Sequence, residues 1–203
     1  MVYVAAVIGC HGVGKTTLVR KLGKLGFKIF NEAPINDFMG KNSFMAELNV
    51  LLDNIRINGE ISRDSELCVS DRFAFLDILI YCEGFVKLGW LNREQLKTIY
   101  FFINNSGHEW VLPNVLLCMN GSKDDLLNNI RNRNRDGVLK EGDESYLNTI
   151  MDLFDDFYNN KLDFEYLNPE LKSKVYAIPK KVVNCNYYAD CDELGRIVEL
   201  IKH

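Results

Sequence analysis

The residues with the clearest chemistry lie near the N-terminus, where Gly9-Cys10-His11-Gly12-Val13-Gly14-Lys15-Thr16-Thr17 (the P-loop) follows an apolar run over residues 2–8. The spacing matches G-x-x-x-x-G-K-[ST], in which backbone N–H groups surround phosphate oxygens, the lysine reaches the outer phosphates and the threonine hydroxyl ligates Mg²⁺. A strand before the motif and a helical pattern after it would place the phosphates at a helix N-terminus. The predicted nucleotide-binding residues are Gly9, Gly12, Val13, Gly14, Lys15, Thr16 and Thr17. Lys15 is also assigned to catalysis, and Thr16 is also a predicted metal ligand.

A carboxylate follows the second apolar segment, where Glu32 comes shortly after the predicted strand at residues 27–30. In phosphoryl transfer the protein mainly positions groups and neutralises charge, and a carboxylate can accept the proton of the attacking hydroxyl. A glutamate in a solvated turn is the alternative interpretation. The nearby P-loop favours Glu32 as a catalytic base that faces the acceptor.

Asp71 and Arg72 follow a third apolar segment, residues 66–71. A carboxylate at a strand end beside a P-loop can hold Mg²⁺ or its waters, and a planar guanidinium suits phosphoryl oxygens. A structural ion pair is the alternative. The position at a strand end favours Asp71 as a metal ligand and Arg72 as a residue that contacts substrate and the transferring group.

Three arginines, Arg131, Arg133 and Arg135, stand where a helical pattern ends. The helix dipole explains part of such a cluster. A polar stretch follows it, so the segment over about 131–145 is predicted to be a lid that closes on the transferring phosphate. Arg131 is assigned to nucleotide binding, and Arg133 and Arg135 are assigned to catalysis.

The elements that must position these groups alternate between strands and helices. This order predicts an α/β fold with three layers, in which helices cover both faces of a central parallel five-stranded sheet and ligands bind at the carboxyl ends of the strands. The predicted strands cover residues 2–8, 27–30, 66–71, 115–119 and 181–185. Helices are predicted after the P-loop and over residues 35–58, 73–88, 92–105, 122–130, 146–158 and 192–202, with an irregular stretch before the last strand. The helices over 73–88 and 92–105 are predicted to be largely buried.

Composition limits the remaining possibilities. The 203 residues are 47% hydrophobic and 26% charged, which is typical of one globular domain over 1–203, and no apolar run is long enough to span a membrane. The net charge of −4 gives no reason to expect a nucleic acid partner. Six cysteines without a C-x-x-C spacing and the lack of a secretion signal predict a cytoplasmic protein with reduced thiols.

Together these motifs resemble the deoxyribonucleoside kinases, the family of deoxycytidine, deoxyguanosine and mitochondrial-type thymidine kinases, which lies close to the thymidylate kinase superfamily. Glu32 with Pro34 resembles the Glu-Pro motif whose glutamate is the base for the sugar 5′-hydroxyl. Asp71-Arg72 stands where the family has Glu-Arg-Ser, and residues 133–136 resemble the Arg-Gly-Arg of its lid. The resemblance implies a P-loop kinase fold, ATP as phosphate donor, Mg²⁺, a small-molecule nucleoside or nucleotide substrate, and a homodimer formed through the helices between residues 73 and 105.

The resemblance also assigns Glu47 and Asp77 to the nucleoside base. This sequence departs from the family pattern at several positions. In the Glu-Pro motif, Ala33 separates Glu32 from the proline, and in the Glu-Arg-Ser motif Asp71 is shorter than glutamate and Phe73 replaces the serine. Glu47 replaces a glutamine, and Asn129 replaces a lid arginine. An ionised Glu47 can only accept hydrogen bonds. It would therefore favour a base edge with adjacent donors, such as guanine N1–H and N2–H₂.

Two other functions are compatible with a P-loop. A nucleoside monophosphate kinase of the thymidylate kinase type would need a cation for the acceptor phosphate, but Asn31 stands where such kinases have an arginine, and a free Glu32 suits a hydroxyl acceptor better. A P-loop ATPase or switch that reads guanine would need an N-K-x-D motif, and residues 120–124 have the wrong spacing.

Overall fold

The computed structural model describes residues 3–31, 43–64, 66–73, 75–106, 110–132, 143–186 and 191–202. Within these ranges the strands are β1 (Val4–Ile8), β2 (Lys28–Phe30), β3 (Cys68–Asp71), β4 (Val115–Asn120) and β5 (Lys180–Asn184). The helices are α1 (Lys15–Lys24), α2 (Ser43–Ile61), α3 (Leu76–Lys87), α4 (Arg93–Asn105), α5 (Lys123–Asn132), α6 (Glu144–Tyr158), α7 (Pro169–Ala177) and α8 (Cys191–Lys202).

The five strands form one parallel sheet in the order β2-β3-β1-β4-β5. All five residues of β1 are buried, because the central strand has helices on both of its faces. Its register pairs Val7 with Asp71 on one side and with Leu117 on the other, so the carboxyl ends of β1, β3 and β4 meet at one edge. The predicted parallel α/β sheet is confirmed.

Helix α3 lies at the centre of the helical packing, because it contacts α2, α4 and α6. Nine of its residues are buried, in agreement with the prediction for this segment. Apart from Val4, the buried apolar side chains of β1, β4, α1, α3 and α6 belong to one hydrophobic core. This core holds the strand ends and the start of α3, and the residues of the candidate site lie between them.

Helix α4 begins with a capping box. The Gln95 N–H donates to Asn92 Oδ1 (2.9 Å), and the Asn92 N–H donates to Gln95 Oε1 (3.0 Å). The prediction that α4 is largely buried is wrong, because the side chains of Phe101 and Phe102 are 62% and 45% exposed. The apolar periodicity of α4 was strong, but it did not show that two aromatic rings lie on the outer face.

One helix boundary and one additional helix also differ from the predictions. Asn58-Gly59 does not end α2, which continues to Ile61, because Ile57 and Ile61 pack with Val4 and Cys68. The stretch before β5 is not wholly irregular, since it contains α7. Only one residue of this short helix, Val175, is buried, so it leaves almost no periodic signal.

Among the described residues, no helix is both long and apolar enough to cross a membrane. The same residues contain no group of three or more His, Cys, Asp or Glu side chains that could hold a metal ion.

The close packing of α3 on α6 predicts a difference between two helical glycines. A Cβ at Gly84 would lie 2.4 Å from Ile150 Cδ1 and 3.2 Å from Leu153 Cδ1, whereas a Cβ at Gly195 in α8 would meet nothing within 4 Å. Overpacking costs about 1–3 kcal/mol, which exceeds the roughly 1 kcal/mol that alanine gains over glycine in a helix. We expect Gly84→Ala to lower the free energy of unfolding in denaturant titrations and Gly195→Ala to raise it. A rise for both variants would contradict the packing of α3 on α6.

Candidate active site

The P-loop leaves β1 at Ile8 and enters α1 at Lys15, as the sequence predicts. Gly12 and Gly14 have φ angles of 79° and 92°, which side chains with a Cβ rarely adopt. At Gly12 a Cβ would also lie 2.8 Å from the carbonyl oxygen of Leu126 in α5. Glycine is therefore required here both by conformation and by the close approach of a neighbouring helix.

The Lys15 ammonium is buried inside the loop. Its Nζ donates to the carbonyl oxygens of Gly9 (2.7 Å) and Cys10 (2.9 Å). The pKa of Lys15 is lowered from 10.5 to about 8, chiefly by burial and then by the charge of Arg72, while Asp77 and Asp71 oppose the decrease. A buried cation whose charge is disfavoured is a strong site for an anion, because a bound anion restores the charged form.

Thr16 and Asp71, the two predicted metal ligands, are adjacent. Thr16 Oγ1 donates to Asp71 Oδ2 at 3.0 Å. This contact follows from the topology, because β3 lies beside β1 and Asp71 pairs with Val7 near the start of the P-loop. A hydroxyl and a carboxylate are oxygen ligands of the kind that Mg²⁺ prefers, so this pair fits the predicted role.

Arg72 lies directly after β3 in an unusual backbone conformation. Its φ angle is 81°, which costs about 1–3 kcal/mol in a residue other than glycine and is most often found at functional sites. Its N–H donates to the Val7 carbonyl (2.9 Å). The buried guanidinium lies 3.7 Å from Asp77 Oδ1 and 5.4 Å from the centroid of the Tyr81 ring.

The two residues assigned to the nucleoside base lie on α2 and α3. Asp77 is only 1% exposed, and its Oδ2 accepts the Phe73 N–H (3.1 Å) at the start of α3. Glu47 on α2 is half-buried, with Oε2 4.0 Å from Cys82 Sγ. Asp77 is therefore in contact with Arg72, and Glu47 faces the more distant part of α3.

Contacts around the P-loop include several that sequence reasoning did not identify. The buried His11 ring lies 4.8 Å from Tyr81 and 5.9 Å from Tyr146, centroid to centroid. The Tyr158 hydroxyl donates to the Met119 carbonyl (3.0 Å) at the end of β4. Asn129 Nδ2 donates to the Gly12 carbonyl (2.9 Å). The sequence pattern could indicate only that a helix following a strand next to β1 can reach the P-loop.

Other predicted residues lie at the margin of the described site or beyond it. Thr17 is exposed in the first turn of α1, and its N–H donates to the Gly14 carbonyl (3.0 Å). Arg131 is exposed in the last turn of α5. Glu32, Arg133 and Arg135 lie outside the described residues. The lid predicted over 131–145 overlaps the end of α5 and the start of α6, and its residues 133–142 also lie outside the described part of the chain.

Comparison with solved structures supports the fold. A structure of deoxyadenosine kinase from M. mycoides with bound dATP has a TM-score of 0.73 and 18% identity, covering 98% of this chain and 100% of that chain. The structure of the same enzyme with bound dCTP has a TM-score of 0.68 and 19% identity. The structure with the products dCMP and a flexible dCDP has a TM-score of 0.73 and 19% identity. Each of these two comparisons covers 98% of this chain and 98% of that chain. No curated protein matches this sequence significantly.

Family membership rests on a separate comparison of the sequence. The family model described as deoxynucleoside kinase matches residues 5–202, which include every strand except the first residue of β1 and all eight described helices. Because the match extends over nearly the whole chain, the protein is a phosphotransferase that belongs to the deoxynucleoside kinase family.

Proposed function

We propose that this protein, acting as a single domain, transfers the γ-phosphoryl group of ATP to the 5′-hydroxyl of a deoxyribonucleoside. The observation that carries the proposal is the pair of buried cations, Lys15 and Arg72, beside the Thr16–Asp71 hydrogen bond at the ends of β1 and β3. Phosphoryl transfer depends mainly on positioning and on the neutralisation of charge. These four side chains supply both at one point of the molecule.

The donor side is formed by the P-loop. Backbone N–H groups of the loop would surround the phosphates, and Lys15 would exchange the carbonyls of Gly9 and Cys10 for phosphate oxygens. Thr16 and Asp71 would hold Mg²⁺, which supplies additional positive charge to the phosphates when it is bound. Thr17 and Arg131 complete the proposed donor site.

The acceptor side begins with Glu32. In the sequence it comes two residues after Phe30, which pairs with Ser70, the residue before Asp71. Glu32 would take the proton of the 5′-hydroxyl, whose oxygen forms a bond to the γ-phosphorus while the bond to the β,γ-bridging oxygen breaks and ADP leaves. Arg72, Arg133 and Arg135 would stabilise the charge on the transferring group.

The cations near α2 favour a nucleoside over a nucleoside monophosphate as acceptor. A monophosphate kinase would need an additional arginine for the acceptor phosphate. Arg56 on α2 is exposed, and its guanidinium already contacts Asp53 (2.9 Å) and Glu60 (2.5 Å). Arg72 is already assigned to the transferring group. The M. mycoides structures with bound dATP and dCTP agree with a deoxynucleoside or deoxynucleotide ligand in this fold.

The proposed enzyme is a cytoplasmic homodimer that associates through α3 and α4. Phe101 and Phe102 support this assembly, because they leave two large aromatic side chains exposed on one helix. Exposed apolar groups of this kind often mark protein interfaces.

A kinase assay that couples the formation of ADP to a measurable signal, in the presence of ATP and Mg²⁺, tests the reaction. We expect phosphorylation of at least one deoxynucleoside and no comparable turnover of the deoxynucleoside monophosphates. Turnover with monophosphates alone would contradict the proposed acceptor.

Glu32→Gln is expected to lower kcat by about 10²–10⁴-fold with little change in nucleoside affinity, because the carboxylate acts on the proton during transfer. The same assay measures kcat for this variant, and unchanged turnover would show that Glu32 is not the base.

Nucleotide binding is expected to weaken and to take up a proton as the pH rises through 8. The pKa of Lys15 is about 8 in the free protein, and bound phosphates raise it because they favour the charged ammonium. Calorimetry of ADP binding at about pH 8.5, in two buffers of different ionisation enthalpy, measures the protons taken up. In Lys15→Arg the guanidinium stays charged, so we expect no uptake. Equal uptake by both proteins would assign the proton to another group.

Base preference is expected to depend on Glu47. Its carboxylate only accepts hydrogen bonds, which favours guanine, whereas Glu47→Gln can both donate and accept and should favour adenine. We expect the ratio of kcat/KM for deoxyguanosine over deoxyadenosine to fall by at least about 10-fold in Glu47→Gln. Competition assays with the four deoxynucleosides measure this ratio. A clear preference of the wild-type protein for pyrimidines would contradict the assignment.

A further inference from the structure

Helix α5 makes a polar contact with the outside of the P-loop. Asn129 Nδ2 donates to the Gly12 carbonyl oxygen at 2.9 Å, and the bond is partly buried. The packing around it is tight, because a Cβ at Gly12 would lie 2.8 Å from the Leu126 carbonyl oxygen and 3.0 Å from Ile130 Cγ1. One turn of α5 therefore lies directly against the Gly12 peptide, and Asn129 supplies the hydrogen bond.

This hydrogen bond determines which way the neighbouring N–H group points. In a trans peptide the carbonyl and the following N–H point in opposite directions. Because the Gly12 carbonyl faces α5, the Val13 N–H points away from α5. Gly12 and Gly14, on either side of Val13, have positive φ angles and few steric restrictions, so their own residue types do not hold this peptide in place.

We propose that Asn129 is a positioning residue for the donor site: its side-chain amide fixes the Gly12–Val13 peptide so that the Val13 N–H is presented to the phosphates. The inference rests on the proposed function, in which the P-loop binds the phosphates of ATP. It differs from a structural role in the core, because the loss of this bond should affect nucleotide binding and should leave nucleoside binding unchanged.

The test compares leucine at Asn129 with leucine at Asn128. Asn129→Leu keeps a similar size and removes the donor without adding charge. Asn128 is the preceding residue of α5 and is exposed, so Asn128→Leu makes the same change on the same helix away from the loop. The measurements are the Kd of ADP, the Kd of a deoxynucleoside, the melting temperature, and hydrogen exchange of the loop peptide in the free protein.

We expect Asn129→Leu to raise the Kd of ADP by about 3- to 10-fold relative to Asn128→Leu, the range for one lost neutral hydrogen bond. The Kd of the deoxynucleoside should stay within about 2-fold, and amides of residues 9–17 should exchange faster than in Asn128→Leu. If Asn129→Leu does not fold, Asn129→Asp replaces it, with Asn128→Asp as its control, because an ionised Asp also lacks the donor.

Equal ADP affinity in the two leucine variants would overturn the proposal, and so would an equal loss of ADP and nucleoside affinity. The proposed function fails separately, if the wild-type protein does not bind ADP. In that case hydrogen exchange still decides the inference: faster exchange of the loop in Asn129→Leu supports it, and exchange equal to that of Asn128→Leu overturns it.

Discussion

The burial of two positive charges at the carboxyl edge of the sheet is the constraint on which the rest of the site depends. Lys15 and Arg72 are both less than a tenth exposed, and the charge of Arg72 contributes to the lowered pKa of Lys15. Buried like charges are unfavourable unless they are paired or hydrogen-bonded. Asp71, Asp77 and the loop carbonyls reduce this cost, and a polyanionic ligand would reduce it further. Under the proposed function, this ligand is the phosphate chain of the nucleotide.

The fold produces this arrangement through the register of parallel strands. Because β1 and β3 are neighbours and end at the same edge, the residues that follow them, the P-loop and Arg72, meet without a long connection. The first turn of α3 then brings Asp77 against Arg72. The backbone of Arg72 has a strained φ angle, and its N–H donates a hydrogen bond to the Val7 carbonyl of the central strand. The core around α3 holds these elements in place.

Local signals allowed much of this to be predicted from the sequence. The P-loop, the strand ends and the Asp71-Arg72 pair are each marked by residues close together in the chain, and their elements were found in the predicted order. The contacts of Asn129 and His11 could not be predicted, because they join residues that are distant in sequence. Helix α7 could not be predicted, because Val175 is its only buried residue and one buried position gives no helical periodicity. The exposure of Phe101 could not be predicted either, because it depends on which elements pack against α4.

The central claim is that the buried cations form the donor half of a site that also holds a nucleoside. A bisubstrate compound, in which a deoxynucleoside is joined through its 5′-oxygen to a polyphosphate that ends in adenosine, tests this claim most directly. Its Kd should lie at least about 10²-fold below that of ATP, because the second half binds at a high effective concentration. Excess free deoxynucleoside should reduce the advantage. A Kd equal to that of ATP, unaffected by deoxynucleoside, would contradict a site with two adjacent halves.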